Sequence, residues 1–92
     1  MARTKKERCV KCAPRCVLFK PGSVLTKDLE VITLELDEYE AMRLADKDGL
    51  TMELASKKMK ISPSTFCRIL ASARMKVADA LISTKGIQIC SK

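Results

Sequence analysis

The sequence predicts a small, mainly helical α+β domain: a three-helix helix-turn-helix core with short strands contributed by the two ends. Three observations predict it. The chain has 92 residues and a mass of 10.2 kDa, a size at which one core forms and about 60–65% of the unfolded surface is buried. Apolar residues recur at helical spacing from Phe66 to Leu81. A shorter helical segment precedes that stripe across a three-residue break.

The elements follow in order. Residues 1–20 form a basic, Cys-containing arm, whose first eight residues read as flexible, and residues 21–92 form the helix-turn-helix domain. Val17-Leu18-Phe19 is a candidate strand stopped by Pro21-Gly22. Residues 23–30 are a polar connection. Val31 to Leu36 alternates Ile32, Leu34 and Leu36 onto one side and predicts a second strand. Asp37 followed by Glu40 has the capping-box spacing and predicts a helix over 38–46, with Tyr39, Met42, Leu44 and Ala45 inward. Gly49 ends that connection. Thr51 caps a second helix over 52–58, with Leu54, Ala55 and Met59 inward. Ile61 sits in the break. Ser62 then caps a third helix, and Pro63 stands at its first position, where a missing N–H costs nothing. That helix runs over 63–81 with Phe66, Ile69, Leu70, Ala73, Val77, Ala80 and Leu81 inward. Gly86 to Cys90 is a candidate third strand.

Composition narrows the function classes. The chain is 47% hydrophobic and 32% charged, which marks it as globular, and only 3% aromatic, so aliphatic residues fill the core. No apolar run approaches 18 residues. The N-terminal Met1 to Lys6 lacks the apolar stretch of a signal peptide, so a cytoplasmic location is expected. With no His and three Gly, a His base and a glycine-rich phosphate loop are both excluded, and no enzyme is expected.

The net charge of +7 is unevenly spread. Residues 1–20 carry +6, residues 21–54 carry −6 and residues 55–92 carry +7. Two basic ends around an acidic middle suit a surface that faces a polyanion. Neither end has the long apolar helical face that a membrane surface requires.

In a helix-turn-helix, the helix after the turn enters the major groove of DNA. The outward residues at the start of the third helix are Ser64, Thr65, Cys67 and Arg68, with Ala71 and Ser72 one turn on. Small hydroxyls and an Arg reach base edges and phosphates without blocking entry. Ser62 offers the helix N-terminus to a phosphate. Lys57, Lys58, Lys60, Arg74 and Lys76 supply backbone charge, and Arg3, Lys5, Lys6 and Arg8 form an arm able to follow a groove. One such helix reads few base pairs, so a homodimer on double-stranded DNA is expected, with pairing of the 31–36 and 86–90 strands between chains covering their edges.

The stretches LDEYEAMRLADKDGL and SKKMKISPSTFCRILASARMKVADAL resemble a family of small prokaryotic proteins, domain-of-unknown-function family 134. Its central region is similar to the helix-turn-helix of sigma-factor region four. The resemblance runs from the Arg3-to-Arg8 arm and Phe19-Lys20-Pro21 to Ala78-Asp79-Ala80-Leu81. It implies a DNA-binding helix-turn-helix and names no target gene; a role as a transcriptional regulator is expected with it. One departure is Lys60, which stands where such turns favour Gly and a left-handed backbone, at a cost of about 1 kcal/mol. Some relatives continue into an iron–molybdenum type of cofactor-binding domain, which is not expected within these 92 residues.

Cys9, Cys12 and Cys16 have the spacing CxxCxxxC. Two thiolates at CxxC spacing hold one tetrahedral ion, zinc or an iron–sulfur cluster, and a third follows within reach. With no His in the chain, the fourth ligand falls to Cys90, Cys67, a carboxylate or water, and Cys90 suits if the last strand lies beside the N-terminal segment. Lys11 and Arg15 favour the thiolate form. Unligated thiols on a basic arm are the simpler alternative. Two other function classes therefore stand beside DNA binding: a metal- or redox-responsive cysteine module, and a protein-interaction adaptor that uses the acidic 28–53 stretch.

Overall fold

The structure is a computed structural model in which residues 16–90 are described. Three strands, β1 (Cys16–Phe19), β2 (Val31–Leu34) and β3 (Gly86–Cys90), form one sheet in the order β1-β3-β2. Three helices connect β2 to β3: α1 (Leu36–Met42), α2 (Met52–Met59) and α3 (Pro63–Ser83). A π-helical turn, Arg43–Lys47, continues α1. A single 3-10 turn, Thr26–Asp28, lies in the connection between β1 and β2.

β3 is the centre of the sheet. It pairs antiparallel with β1, Cys16 opposite Cys90 and Phe19 opposite Ile87, and parallel with β2, Ile32 beside Ile87 and Leu34 beside Ile89. Because side chains alternate across a strand, Val17, Phe19, Ile32, Leu34, Ile87 and Ile89 share one face. That face meets the helices. Leu34 and Ile89 bury against Ala73 of α3, with Leu36, Tyr39 and Met42 of α1 beside them. An apolar groove of about 560 Å³ remains open between Phe19, Tyr39, Met42 and Val77. Gly86 is required where it stands: a Cβ there would lie 2.8 Å from Leu29 Cδ2 and 3.2 Å from the Phe19 carbonyl oxygen.

A second cluster joins the helices, with Ala41, Leu44, Ala55 and Phe66 at its centre. Met59, Ile61, Ile69 and Leu70 pack around it. Ala55 and Ser56 are the buried residues of α2, so small side chains stand on its packed face. The Ser56 hydroxyl is satisfied by donating to the Glu53 carbonyl at 3.1 Å.

The caps on α2 and α3 match the sequence. Thr51 Oγ1 accepts from the Leu54 N–H at 3.2 Å, Ser62 Oγ accepts from the Thr65 N–H at 3.2 Å, and Pro63 opens α3. Only Lys60, Ile61 and Ser62 separate the two helices. Lys60 is left-handed, at φ 60° and ψ 42°, and its N–H and that of Ile61 close the end of α2 on the Lys57 and Ser56 carbonyls.

Several expectations are corrected. The second strand ends at Leu34, and Glu35, in place of Asp37, is the N-cap of α1. Its N–H donates to Glu38 Oε1 at 2.9 Å, so the box spans Glu35 and Glu38. Leu36 continues the alternation of β2 but is also three residues before Tyr39 and six before Met42, and the helical periodicity wins. The first helix accordingly occupies 36–47, its π turn reaching Lys47, with the Asp48 N–H on the Arg43 carbonyl at 2.9 Å. Leu54 and Leu81 point outward, 51% and 74% exposed, because each lies about 100° around its helix from an inward Ala, Ala55 or Ala80. The 86–90 strand is paired on both sides within the chain, which leaves β1 and β2 as the sheet edges.

The left-handed C-caps generate a prediction. Lys60→Gly should stabilise the domain by about 0.5–1 kcal/mol, the left-handed penalty less the entropy Gly adds to the unfolded chain. Thr84, the cap of α3 at φ 59°, is β-branched, so Thr84→Gly should gain at least as much. Thermal unfolding followed by circular dichroism checks both, as a rise in Tm of a few degrees.

Candidate nucleic-acid interface

The α2–turn–α3 unit carries the exposed cations of this half of the molecule. Residues 52–73 contain four basic side chains, Lys57, Lys58, Lys60 and Arg68, against the single carboxylate Glu53. All four are exposed, and none is in an ion pair with a described residue. The negative end of the α2 dipole lies among the three lysines, where cationic side chains are favoured.

The start of α3 presents a short chain of hydroxyls. Ser62 Oγ donates to Thr65 Oγ1 at 3.0 Å and lies 3.3 Å from Ser64 Oγ. The Arg68 guanidinium donates one N–H to Thr65 Oγ1 at 3.4 Å. That weak bond orients Arg68 along the outer face of the first turns and leaves most of its five donors free. Phe66, Ile69 and Leu70 on the opposite side hold the helix against the core, so the outer face is displayed on a fixed backbone. Among the sequence-predicted residues, the structure brings Ser62, Ser64, Thr65 and Arg68 together.

Three others have internal partners. Ser72 Oγ donates to Glu38 Oε2 at 2.6 Å, and Lys76 Nζ donates to Glu38 Oε1 at 2.8 Å and to the Thr33 carbonyl at 3.0 Å. Arg74 forms a two-pronged ion pair with Asp46, at 2.6 and 3.1 Å. Arg74 is thus part of a bond between α3 and the π turn, and Ser72 and Lys76 tie α3 to α1 and β2. Arg3, Lys5, Lys6, Arg8, Cys9 and Cys12 lie outside the described residues.

Sequence reasoning missed two neighbours of this face. Met52 and Leu54 on α2 are exposed, and Cys67 Sγ lies 3.0 Å from Met52 Sδ. No signal in the sequence places Met52 there: it shares the i, i+3, i+4, i+7 stripe of Ala55, Ser56 and Met59, yet at the first position of α2 it is 48% exposed.

Glu38 dominates the electrostatics beneath the interface. Its side chain is 8% exposed, and burial raises its pKa, but the hydrogen bonds from Lys76, Ser72 and the Glu35 N–H outweigh that and hold it below its ordinary 4.5. A carboxylate with a lowered folded pKa contributes stability that is present above the unfolded value and lost as the pH falls through the folded one. Glu38→Ala should cost about 2–3 kcal/mol at neutral pH, because Lys76 and Ser72 lose a partly buried charged partner. Glu38→Gln should flatten the acid side of the stability profile. Urea denaturation of wild type and both variants between pH 3 and pH 7 checks this.

A family described as "Protein of unknown function DUF134" matches residues 1–91. The chain belongs to that family. A UPF0251 protein of Chlorobium chlorochromatii is 49% identical over 85 residues, 92% of this chain and 47% of the relative. One of Halothermothrix orenii is 43% identical over 88 residues, 96% of this chain and 65% of the relative. A UPF0251 protein of Chlorobaculum tepidum is 55% identical over 56 residues, 61% of this chain and 37% of the relative. The chain therefore spans about half to two thirds of the length of the first two relatives. No solved structure matches it. Among the described residues, no helix is long and apolar enough to cross a membrane.

Proposed function

We propose that this DUF134 chain binds double-stranded DNA sequence-specifically, with α3 entering the major groove, and that it acts in transcription regulation. The observation that carries the reading is the outer face of Ser62, Ser64, Thr65 and Arg68, held by a capped helix three residues after a second helix whose end carries three exposed lysines. An exposed guanidinium on a fixed helix matches the paired acceptors of guanine, and the lysines match phosphates on either side. The resemblance to the helix-turn-helix of sigma-factor region four supports the same geometry. Arg74, Lys76 and Ser72 leave the contact set, since their partners are within the domain. Specificity from one helix is low, so the active form is a symmetric dimer on two half-sites.

Arg68→Ala should weaken binding to a selected site by about ten- to a hundredfold, one lost bidentate contact at about 1–3 kcal/mol, and leave folding intact. Lys57→Ala or Lys58→Ala should weaken binding to selected and scrambled DNA alike and reduce the salt slope by about one phosphate contact. Arg74→Ala should change neither. Fluorescence anisotropy at several salt concentrations, on a site obtained by random-library selection, measures all four. Equal, salt-independent binding by wild type and Arg68→Ala would sink the assignment of α3 as the recognition helix.

A further inference from the structure

Beyond its first turns, the outer face of α3 is apolar and uncovered. Ala71, Met75, Ala78 and Ile82 are all exposed, Met75 at 67% and Ile82 at 84%. They are spaced by four, three and four residues, so they form one row along the helix. Phe66, Ala73 and Ala80, the buried residues of α3, stand on the opposite side. Leu81, also exposed, borders the row. Scattered exposed apolar residues are ordinary, but a contiguous row marks an interaction surface.

The row carries no charge, in a chain whose net charge is +7. The charged residues between Ala71 and Ile82 are already paired within the domain: Arg74 with Asp46, Lys76 with Glu38 and Asp79 with Lys85. Two copies of this face can therefore approach without like-charge repulsion. The row has no donor to offer a phosphate, so it is not an extension of the polyanion face.

We propose that the row is the seam of a symmetric dimer, in which α3 packs antiparallel against α3 of a second copy. Side-chain size selects that partner and that direction. Positions 71 and 82, and positions 75 and 78, are symmetric about one point between Lys76 and Val77. In an antiparallel pair centred there, Ala71 is level with Ile82 of the second copy and Met75 with its Ala78, and the two-fold axis repeats both contacts. Each large side chain meets a small one, so the helix axes close to about 8 Å without clash or void. A parallel pair sets Met75 against Met75 and Ala78 against Ala78, which crowds one layer and leaves a gap in the next. In the antiparallel register the second helix ends, at Ser83, level with Leu70 of the first, so the turns from Ser62 to Arg68 lie beyond it. The seam deepens the symmetric dimer of the DNA-binding reading by naming its contact face. It is tested without DNA, so the failure of either reading leaves the other standing.

Sedimentation equilibrium of the full chain at tens to hundreds of micromolar should show a species of twice 10.2 kDa. Met75→Glu, Ala71→Glu and Ile82→Lys should each weaken association at least tenfold, while Arg68→Ala should dimerise as wild type does. Circular dichroism should be unchanged, since all these positions are exposed; if a charged variant loses helix, Met75→Ala, which favours helix and removes the large partner, takes its place. Mixing reads the direction. Ile82→Lys and Ala71→Glu chains should associate with each other, because the antiparallel seam sets the new ammonium level with the new carboxylate and keeps one native Ala71–Ile82 contact. Ile82→Lys and Ile82→Glu chains should not, because the antiparallel seam holds these positions at opposite ends. A 10.2 kDa species alone at the highest concentration, a dimer that survives Met75→Glu and Ile82→Lys, or pairing of Ile82→Lys with Ile82→Glu in place of Ala71→Glu would each overturn the proposal.

Discussion

One buried carboxylate holds the three layers of this molecule together. Glu38 caps the start of α1 through the Glu35 N–H, accepts from Ser72 and Lys76 on α3, and through Lys76 is linked to the Thr33 carbonyl of β2. Its position three residues into a helix adds the favourable end of that helix's dipole. A side chain so enclosed is costly to charge unless its lone pairs are met, and here both oxygens are occupied by charged or short hydrogen bonds. The consequence is geometric. α3 cannot rotate about its axis without breaking two of these bonds, so the residues on its outer face are fixed relative to α1 and the sheet.

This constraint explains why a 21-residue helix carries two different faces along its length. In its first half, Phe66, Ile69 and Leu70 face the cluster built on α1 and α2, and Arg68 faces out. In its second half, Ala73 packs against the sheet, and Ser72, Arg74 and Lys76 are bound to α1 and to structures flanking it. The polar residues of α3 thus divide into an outer set near the turn and an anchoring set beyond it. A helix read only by its spacing shows both sets as one polar surface.

That division marks the limit of what was legible in the sequence. Thr51, Ser62, Pro63 and Lys60 reported their roles directly, because capping chemistry and the left-handed turn depend on local backbone geometry. The inward stripe from Phe66 to Ala80 was legible for the same reason: its periodicity is long and unbroken. Glu38 was not. Its partners lie 34 and 38 residues away, and nothing in the local pattern distinguishes it from Asp37 or Glu40. The boundary of β2 also failed to show, since Leu36 fits both a period of two and a helical period. Leu54 and Leu81 were misplaced because each is apolar beside an Ala, and size favours the Leu until the neighbouring helix requires the smaller side chain.

The same long-range pairing gives the charge asymmetry its meaning. The acidic 21–54 segment contains nine carboxylates, and four of them, Glu38, Glu40, Asp46 and Asp48, are in ion pairs within the domain. They take up Arg43, Arg74 and Lys76. An acidic docking surface requires carboxylates that remain available, and the pairing removes the centre of that stretch, which weakens the adaptor reading. It has the opposite effect at the turn. With these four carboxylates held by α1, the π turn and the later part of α3, no carboxylate among the described residues pairs with Lys57, Lys58, Lys60 or Arg68. The field outside the α2–α3 turn is therefore positive by construction. Intramolecular neutralisation on one side of the domain is what leaves the excess positive charge on the other.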